Sequence, residues 1–223
     1  MSGSVEDEGM AIQMERISGF LKGAIAALAL LVATEAHGAD CKIAVLGDSL
    51  TAAYGLDVVD GFPARLEQAL RQQGYDCAVV DAGVSGDTTA GGLTRLDWTL
   101  ADRPSHVIVE LGGNDGLRGL PPEQMAQNLD QIIDRLKGKG IPVLLTGMLA
   151  PPNLGRDYGD AFAAVFPEVA EKHDVPLYPF FLEGVAGDAL LNQGDGIHPT
   201  AEGVAIIVEN ILPTVTDWLD ATS

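Results

Sequence analysis

Lys42–Thr51 reads KIAVLGDSLT, a short apolar run that ends in a glycine, an acid and a serine. Four apolar residues, Ile43–Leu46, followed at once by Gly47-Asp48-Ser49, predict a buried strand that stops and presents a hydroxyl at its carboxyl end. The same grammar recurs downstream. Apolar runs at Ala78–Val80, His106–Leu111, Pro142–Thr146 and Val175–Phe180 alternate with helical patterns. The helices are Pro63–Gln73, Thr89–Leu100, Pro122–Lys137, Tyr158–His173 (interrupted by Pro167) and Thr200–Leu219. Pro122–Lys137 is the clearest of them, with Met125, Leu129, Ile132, Ile133 and Leu136 on one face, proline and glutamate in its first turn and KGKG at its end. Strands that are apolar throughout, separated by helices, imply an α/β fold: a parallel sheet buried on both faces. With five strands in the order 2-1-3-4-5, ligands bind outside the carboxyl ends, where the order reverses between strands one and three.

The chain has 223 residues and a formal net charge of −19. Residues 1–39 carry −3 of this, leaving −16 on residues 40–223. Such a charge excludes nucleic acid and anionic membrane surfaces as natural partners and repels anionic substrates at long range. Gly23–Ala33, GAIAALALLVA, is an apolar core preceded by Arg16 and Lys22 and followed by small residues at Ala36-His37-Gly38-Ala39. That is the plan of a secretory signal, too short to span a bilayer comfortably. Residues 1–39 are therefore expected to be removed, leaving 40–223 as one periplasmic or secreted domain with no stable membrane insertion. The acidic MSGSVEDEG ahead of the signal is unusual, and Met10 or Met14 would provide a more ordinary start. Cys41 and Cys77 each open an apolar run, six residues before a glycine. Two readings stand open: a bridge between neighbouring strands in an oxidising compartment, or two separate thiols.

The loops after the strands hold the chemistry. They are Gly47-Asp48-Ser49-Leu50, Gly83–Thr88, Gly112-Gly113-Asn114-Asp115 and, in the last connection, Asp195-Gly196-Ile197-His198-Pro199. A serine attacks only when a base takes its proton, and histidine suits that task. Of four histidines, His37 lies in the signal, His106 at the wrong end of a strand and His173 at a helix terminus, leaving His198. Asp195, three residues earlier, can orient its ring. Backbone N–H groups at Ser49 and Gly86 and the Asn114 amide are candidate donors to an oxyanion. Asp48, Asp87 and Asp115 could instead hold a hard metal ion or brace loop backbone, and the bracing reading leaves the protein without a metal or cofactor.

These blocks resemble those of the SGNH (GDSL) hydrolases: GDSL at Gly47–Leu50, a glycine at Gly86, GxND within GGND at Gly112–Asp115, and DxxHP at Asp195–Pro199. The resemblance covers roughly Lys42–Trp218. It implies a three-layer flavodoxin-like fold, Ser49 as nucleophile, His198 as base, Asp195 as its orienter, and Ser49, Gly86 and Asn114 as the oxyanion hole. SGDT, GGNDGLRG, DVPLYPFF and DGIHP look most like the bacterial thioesterase I, lysophospholipase and arylesterase subgroup. That implies small-molecule ester and thioester substrates, in a periplasmic setting and without cofactors. A sugar acetyl esterase on the same fold is the alternative, and a metal-dependent phosphoryl-transfer protein a more distant one. Only Gly155-Arg156-Asp157 stands where the subgroup is richer in arginine, which weakens the expectation of coenzyme A thioesters. Gly116–Leu120, GLRGL, could move over the acyl site or be an ordinary connection. Leu149, Pro151, Leu154 and Phe162 are candidate walls of that site or, equally, plain surface-loop and helix-core residues.

Overall fold

The computed structural model describes residues 41–222, and the expected signal lies outside them. Five parallel strands form one sheet in the order β2-β1-β3-β4-β5. They are β1 (Lys42–Gly47), β2 (Ala78–Gly83), β3 (His106–Glu110), β4 (Val143–Thr146) and β5 (Leu177–Tyr178). The helices are α1 (Phe62–Gln72), α2 (Thr89–Thr94), α3 (Leu96–Thr99), α4 (Gly113–Leu117), α5 (Pro122–Lys137), α6 (Arg156–His173) and α7 (Ala201–Thr222). Helix α1 packs on α7, and α5 packs on both α2 and α6. No helix among the described residues is long and apolar enough to cross a membrane.

The apolar runs of β1, β3 and β4 become the core because they are covered on both faces. Ile43, Val45, Leu46, Val107, Ile108, Val109, Leu144 and Leu145 are fully buried. β2 lies at the sheet edge and is only partly covered, so Asp81 is tolerated there. The register pairs Gly47 with Gly83 on one side and Glu110 on the other, so the three strands end level. The loops that follow them therefore start from one edge.

Three boundaries differ from the sequence reading. The expected helix Thr89–Leu100 is broken into α2, α3 and a 3-10 turn at Leu100–Asp102. Arg95 at the break uses its side chain to hold other loops, and Gly91 and Gly92 weaken the helix. The expected strand Val175–Phe180 pairs only at Leu177–Tyr178, because Pro176 and Pro179 on either side lack the N–H a ladder needs. Helix α6 runs through Pro167. Its buried Phe162, Val165, Phe166 and Val169 outweigh one missing backbone bond.

The cysteine question closes in favour of a bridge. Cys41 and Cys77 form a disulfide with Cα atoms 4.6 Å apart. They precede the paired residues Lys42 and Ala78, so the bridge ties β1 to β2 at their amino ends, opposite the edge that carries the loops.

Candidate active site

Loop one turns sharply after β1. Ala52 N–H donates to the Asp48 carbonyl at 3.0 Å, and Tyr54 N–H to the Ser49 carbonyl at 3.2 Å. This turn leaves the Ser49 side chain partly exposed at the edge. Its Oγ lies 2.9 Å from His198 Nε2. His198 Nδ1 lies 2.6 Å from Asp195 Oδ2. Asp195 Oδ1 accepts from the N–H of Ile197 at 2.9 Å and of His198 at 3.0 Å. Gly196, at φ 69°, supplies the left-handed residue that lets a carboxylate reach a ring three positions on.

The His198 ring bond, with the two backbone donors, holds the Asp195 carboxyl well below the usual carboxylate range. A carboxylate only accepts, so Nδ1 carries the ring proton and Nε2 is free to accept from the Ser49 hydroxyl. The outer face of His198 is covered by Tyr54, whose ring centroid is 4.4 Å away. Gln193 Nε2 donates to the Tyr54 and Pro199 carbonyls at 2.8 and 2.9 Å, joining the first loop to the last.

Two arginines fasten the loops to one another and to the end of β1. Arg95 donates to Asp87 Oδ2 at 2.5 Å, to the Gly47 carbonyl at 2.7 Å and to the Ala82 carbonyl at 2.6 Å. Arg118 donates to the Gly86 carbonyl at 2.7 Å. Gly86, at φ 86°, turns its peptide so that the N–H donates to no protein group among the described residues. The Ser49 N–H is likewise unpartnered there. Asn114 Nδ2 donates one hydrogen to Asp48 Oδ2 at 2.9 Å and keeps a second. All five residues singled out in the sequence thus lie in the segments that follow the strands at one edge, four in loops and Asn114 in the first turn of α4. On the expectation that the Gly86 N–H is an oxyanion donor, Arg118→Ala, which frees that peptide, should lower kcat about tenfold, a fraction of the ~10²–10³ for losing such a donor outright. Steady-state kinetics showing no change would mean that Gly86 is held by its own turn.

A cavity of about 90 Å³ opens beside Ser49, lined also by Gly113, Asn114, Leu117, Met148, Leu149, Pro151, Leu182 and Ile197. Two expected walls are not among these. Phe162 is fully buried in the core, where α6 and its neighbours enclose it. Leu154 does not line the cavity and faces Gly119 instead. Gly116–Leu120 is half helix, since α4 includes Gly116 and Leu117, and Tyr158 OH donates to the Leu120 carbonyl at 2.8 Å. A larger groove of about 580 Å³, lined by Ile141, Pro142 and Trp218 among others, lies at the amino ends of the strands, away from these groups.

The three aspartates do not converge. Asp48 accepts from Leu50 and Asn114, Asp87 pairs with Arg95, and Asp115 accepts from Thr89 N and Oγ1 at 2.8 and 2.7 Å. Among the described residues no group of three or more His, Cys, Asp or Glu is placed to hold a metal ion. His173 is buried, with Nε2 2.7 Å from Asp130. His106 bonds Ser105 and Thr222 at the far end of the sheet.

The pattern of the GDSL-like lipase/acylhydrolase family matches residues 45–206. The chain belongs to this family. Esterase TesA of Pseudomonas aeruginosa is 46% identical over 193 residues, covering 86% of this chain and 96% of that one. The thioesterase 1/protease 1/lysophospholipase L1 of Escherichia coli K12 is 40% identical over 191 residues, covering 85% of this chain and 86% of that one. Among solved structures, the psychrotrophic esterase EstA from Pseudoalteromonas sp., inhibited by monoethylphosphonate, superposes with a TM-score of 0.77 at 34% identity, covering 81% of this chain and 100% of that one. This GDSL-family member is accordingly a hydrolase of the esterase and thioesterase type, with the α/β sheet of its relatives. Glu110, Arg95 and Arg118 escaped the sequence reading because each acts through a tertiary contact. Arg118 was visible within GLRGL but carried no motif of its own.

Proposed function

We propose that this GDSL hydrolase cleaves carboxylic esters and thioesters through an acyl-enzyme on Ser49. The unbroken chain Ser49 Oγ–His198–Asp195 is the observation that carries this reading. Ser49 Oγ attacks the carbonyl carbon while its proton passes to His198 Nε2. The carbonyl electron pair moves onto oxygen, facing the N–H groups of Ser49 and Gly86 and the free hydrogen of Asn114 Nδ2. Asp195 stabilises the imidazolium without taking its proton. The oxyanion then collapses, the bond to the leaving oxygen or sulfur breaks, and His198 returns the proton to the leaving group. Water repeats the sequence on the acyl-enzyme and releases the acid. No cofactor is needed. The working domain is residues 40–223, periplasmic or secreted after loss of residues 1–39, and its negative charge disfavours anionic leaving groups such as coenzyme A.

The cavity of about 90 Å³ sets the acyl preference. It is far below the ~300–1,000 Å³ of a drug-sized site. Its apolar walls, Leu117, Met148, Leu149, Pro151 and Leu182, receive the first carbons of a short acyl chain. Longer chains must lie on the exposed rim of Leu117, Leu149 and Ile197. Across a series of p-nitrophenyl esters, kcat/KM is expected to be highest from acetate to butyrate and at least about tenfold lower for the long-chain members. A maximum at long chains would refute the pocket assignment. The same small cavity suits an acetyl group, so acetylated sugars belong in the panel.

A further inference from the structure

Asp48 precedes the nucleophile and is 2% exposed. Its two oxygens have separate partners. Oδ1 accepts from Leu50 N–H at 3.0 Å, and Oδ2 accepts from Asn114 Nδ2 at 2.9 Å. Under the same turn lies Glu110, at the end of β3 and 0% exposed. Glu110 Oε2 accepts from Thr51 Oγ1 at 2.8 Å and more weakly from Asp48 N–H at 3.4 Å. Its Oε1 is buried and has no partner among the described residues. A Cβ added to Gly47 would stand 2.6 Å from Glu110 Oε2, so nothing larger than glycine fits between this carboxyl and the turn.

Two carboxyl groups buried this closely cannot both be ionised without large cost. Glu110 is the more buried and has an orphaned oxygen. Asp48 has two well-placed donors, one on each oxygen. Glu110 is therefore the neutral partner and Asp48 the carboxylate.

The consequence falls on Asn114. A primary amide has a donor face and an acceptor face. If its Oδ1 faced Ser49, it would repel the developing oxyanion. A carboxylate beside it accepts only, so it selects the NH2 group and leaves the second hydrogen aimed outward. A protonated Asp48 would offer an O–H that the amide oxygen accepts just as readily. We infer that Asp48 is a positioning residue of the oxyanion hole: its carboxylate fixes which face of the Asn114 amide meets the substrate, with neutral Glu110 beneath it. This rests on Asn114 being an oxyanion donor.

Burial pushes the Asp48 carboxyl up to about 6, with a small addition from Asp87, against the Leu50 N–H, the Asn114 amide and the His198 charge. Burial first, and then the Asp48 charge, push Glu110 well above its ordinary value, while the Thr51 hydroxyl and the backbone N–H groups of Asp48 and Thr51 oppose. The carboxylate of Asp48 is the working form, so activity is lost as pH falls through about 6. Asp87 and His198 are the titratable groups that act on Asp48, whose charge in turn acts on Glu110.

A double-mutant cycle on p-nitrophenyl butyrate tests this. An asparagine at 48 has one acceptor oxygen for two donors, and its own NH2 can bond the amide oxygen of Asn114. Asp48→Asn is expected to lower kcat ~10–100-fold with KM little changed, and Asn114→Ala to lower it ~10²–10³-fold. Adding Asp48→Asn to Asn114→Ala should then cost less than about threefold more. An equal cost in both backgrounds, or none in the wild type, overturns the inference. Full activity in Asn114→Ala alone would instead refute the oxyanion hole itself. Should Asp48→Asn fail to fold, the side-chain amide resonances of Asn114 in His198→Ala decide the matter. They should move with a midpoint above about 6, because His198 no longer lowers the Asp48 carboxyl. Resonances that stay fixed through the titration of Asp48 overturn the inference.

Discussion

Ser49→Ala is expected to lower kcat on p-nitrophenyl butyrate by roughly 10⁴-fold or more while leaving the fold intact. The proton path from Oγ to His198 Nε2 disappears, and neither Tyr54 nor Gln193 offers a replacement on that side of the ring. What survives is the contribution of the oxyanion donors and of binding, which is much smaller than the whole. Stability should hardly change. The Ser49 side chain is only partly buried, and His198, 17% exposed, has solvent to replace the lost hydroxyl. The expected melting temperature lies within about 2 °C of the wild type, the range for a partly exposed site with no orphaned group. Circular dichroism melts beside the kinetics check both halves. Measurable turnover by a correctly folded Ser49→Ala would remove the nucleophile from the proposed mechanism.

The largest effect on stability is expected at the other end of the sheet. Cys41 and Cys77 close a loop of sequence separation 36. On the chain-entropy account such a loop is worth roughly 4 kcal/mol. Replacing both cysteines with serine is expected to lower the melting temperature by about 8–15 °C in a domain of this size. Cys77 is 4% exposed, so the serine hydroxyls add a small burial cost in the same direction. At temperatures well below the melt, kcat/KM should stay within about twofold, because the bridge contacts none of the four loops. Differential scanning calorimetry and an ester assay at low temperature separate the two outcomes. A melting temperature unchanged by the substitutions would mean that β1 and β2 are equally restrained in the unfolded chain.

Much of this was legible in the sequence for a physical reason. A strand buried on both faces must be apolar throughout, so Ile43–Leu46 and His106–Leu111 announced themselves. Ligand sites at the carboxyl ends use short polar segments, and Ser49, Gly86, Asn114, Asp195 and His198 sit in segments of that kind, Asn114 in the short helix α4. The weak points were of another sort. The run Val175–Phe180 marked the last strand, but only its pairing with β4 shows that it is confined to Leu177–Tyr178. Thr89–Leu100 had the length of a helix, but Arg95 is drawn to the carbonyls of Gly47 and Ala82 and the segment breaks there. Glu110 reads in sequence as the end of a strand. Only the register of β1 against β3 reveals that it lies beneath the nucleophile's turn. Asp48 was visible as a loop brace, and its second oxygen's bond to Asn114 needed coordinates.

The division of labour among the loops bears on how such a protein can diversify. The groups of the proposed mechanism hang from the segments after β1, β2 and β3 and from the last connection. Met148, Leu149 and Pro151, after β4, and Leu182, after β5, contribute only walls to the cavity. These four touch no proton path and hold no catalytic side chain. Substitutions there are free to alter which acid is released, and a lineage or a laboratory library can explore that choice while the hydrolytic apparatus stays constant.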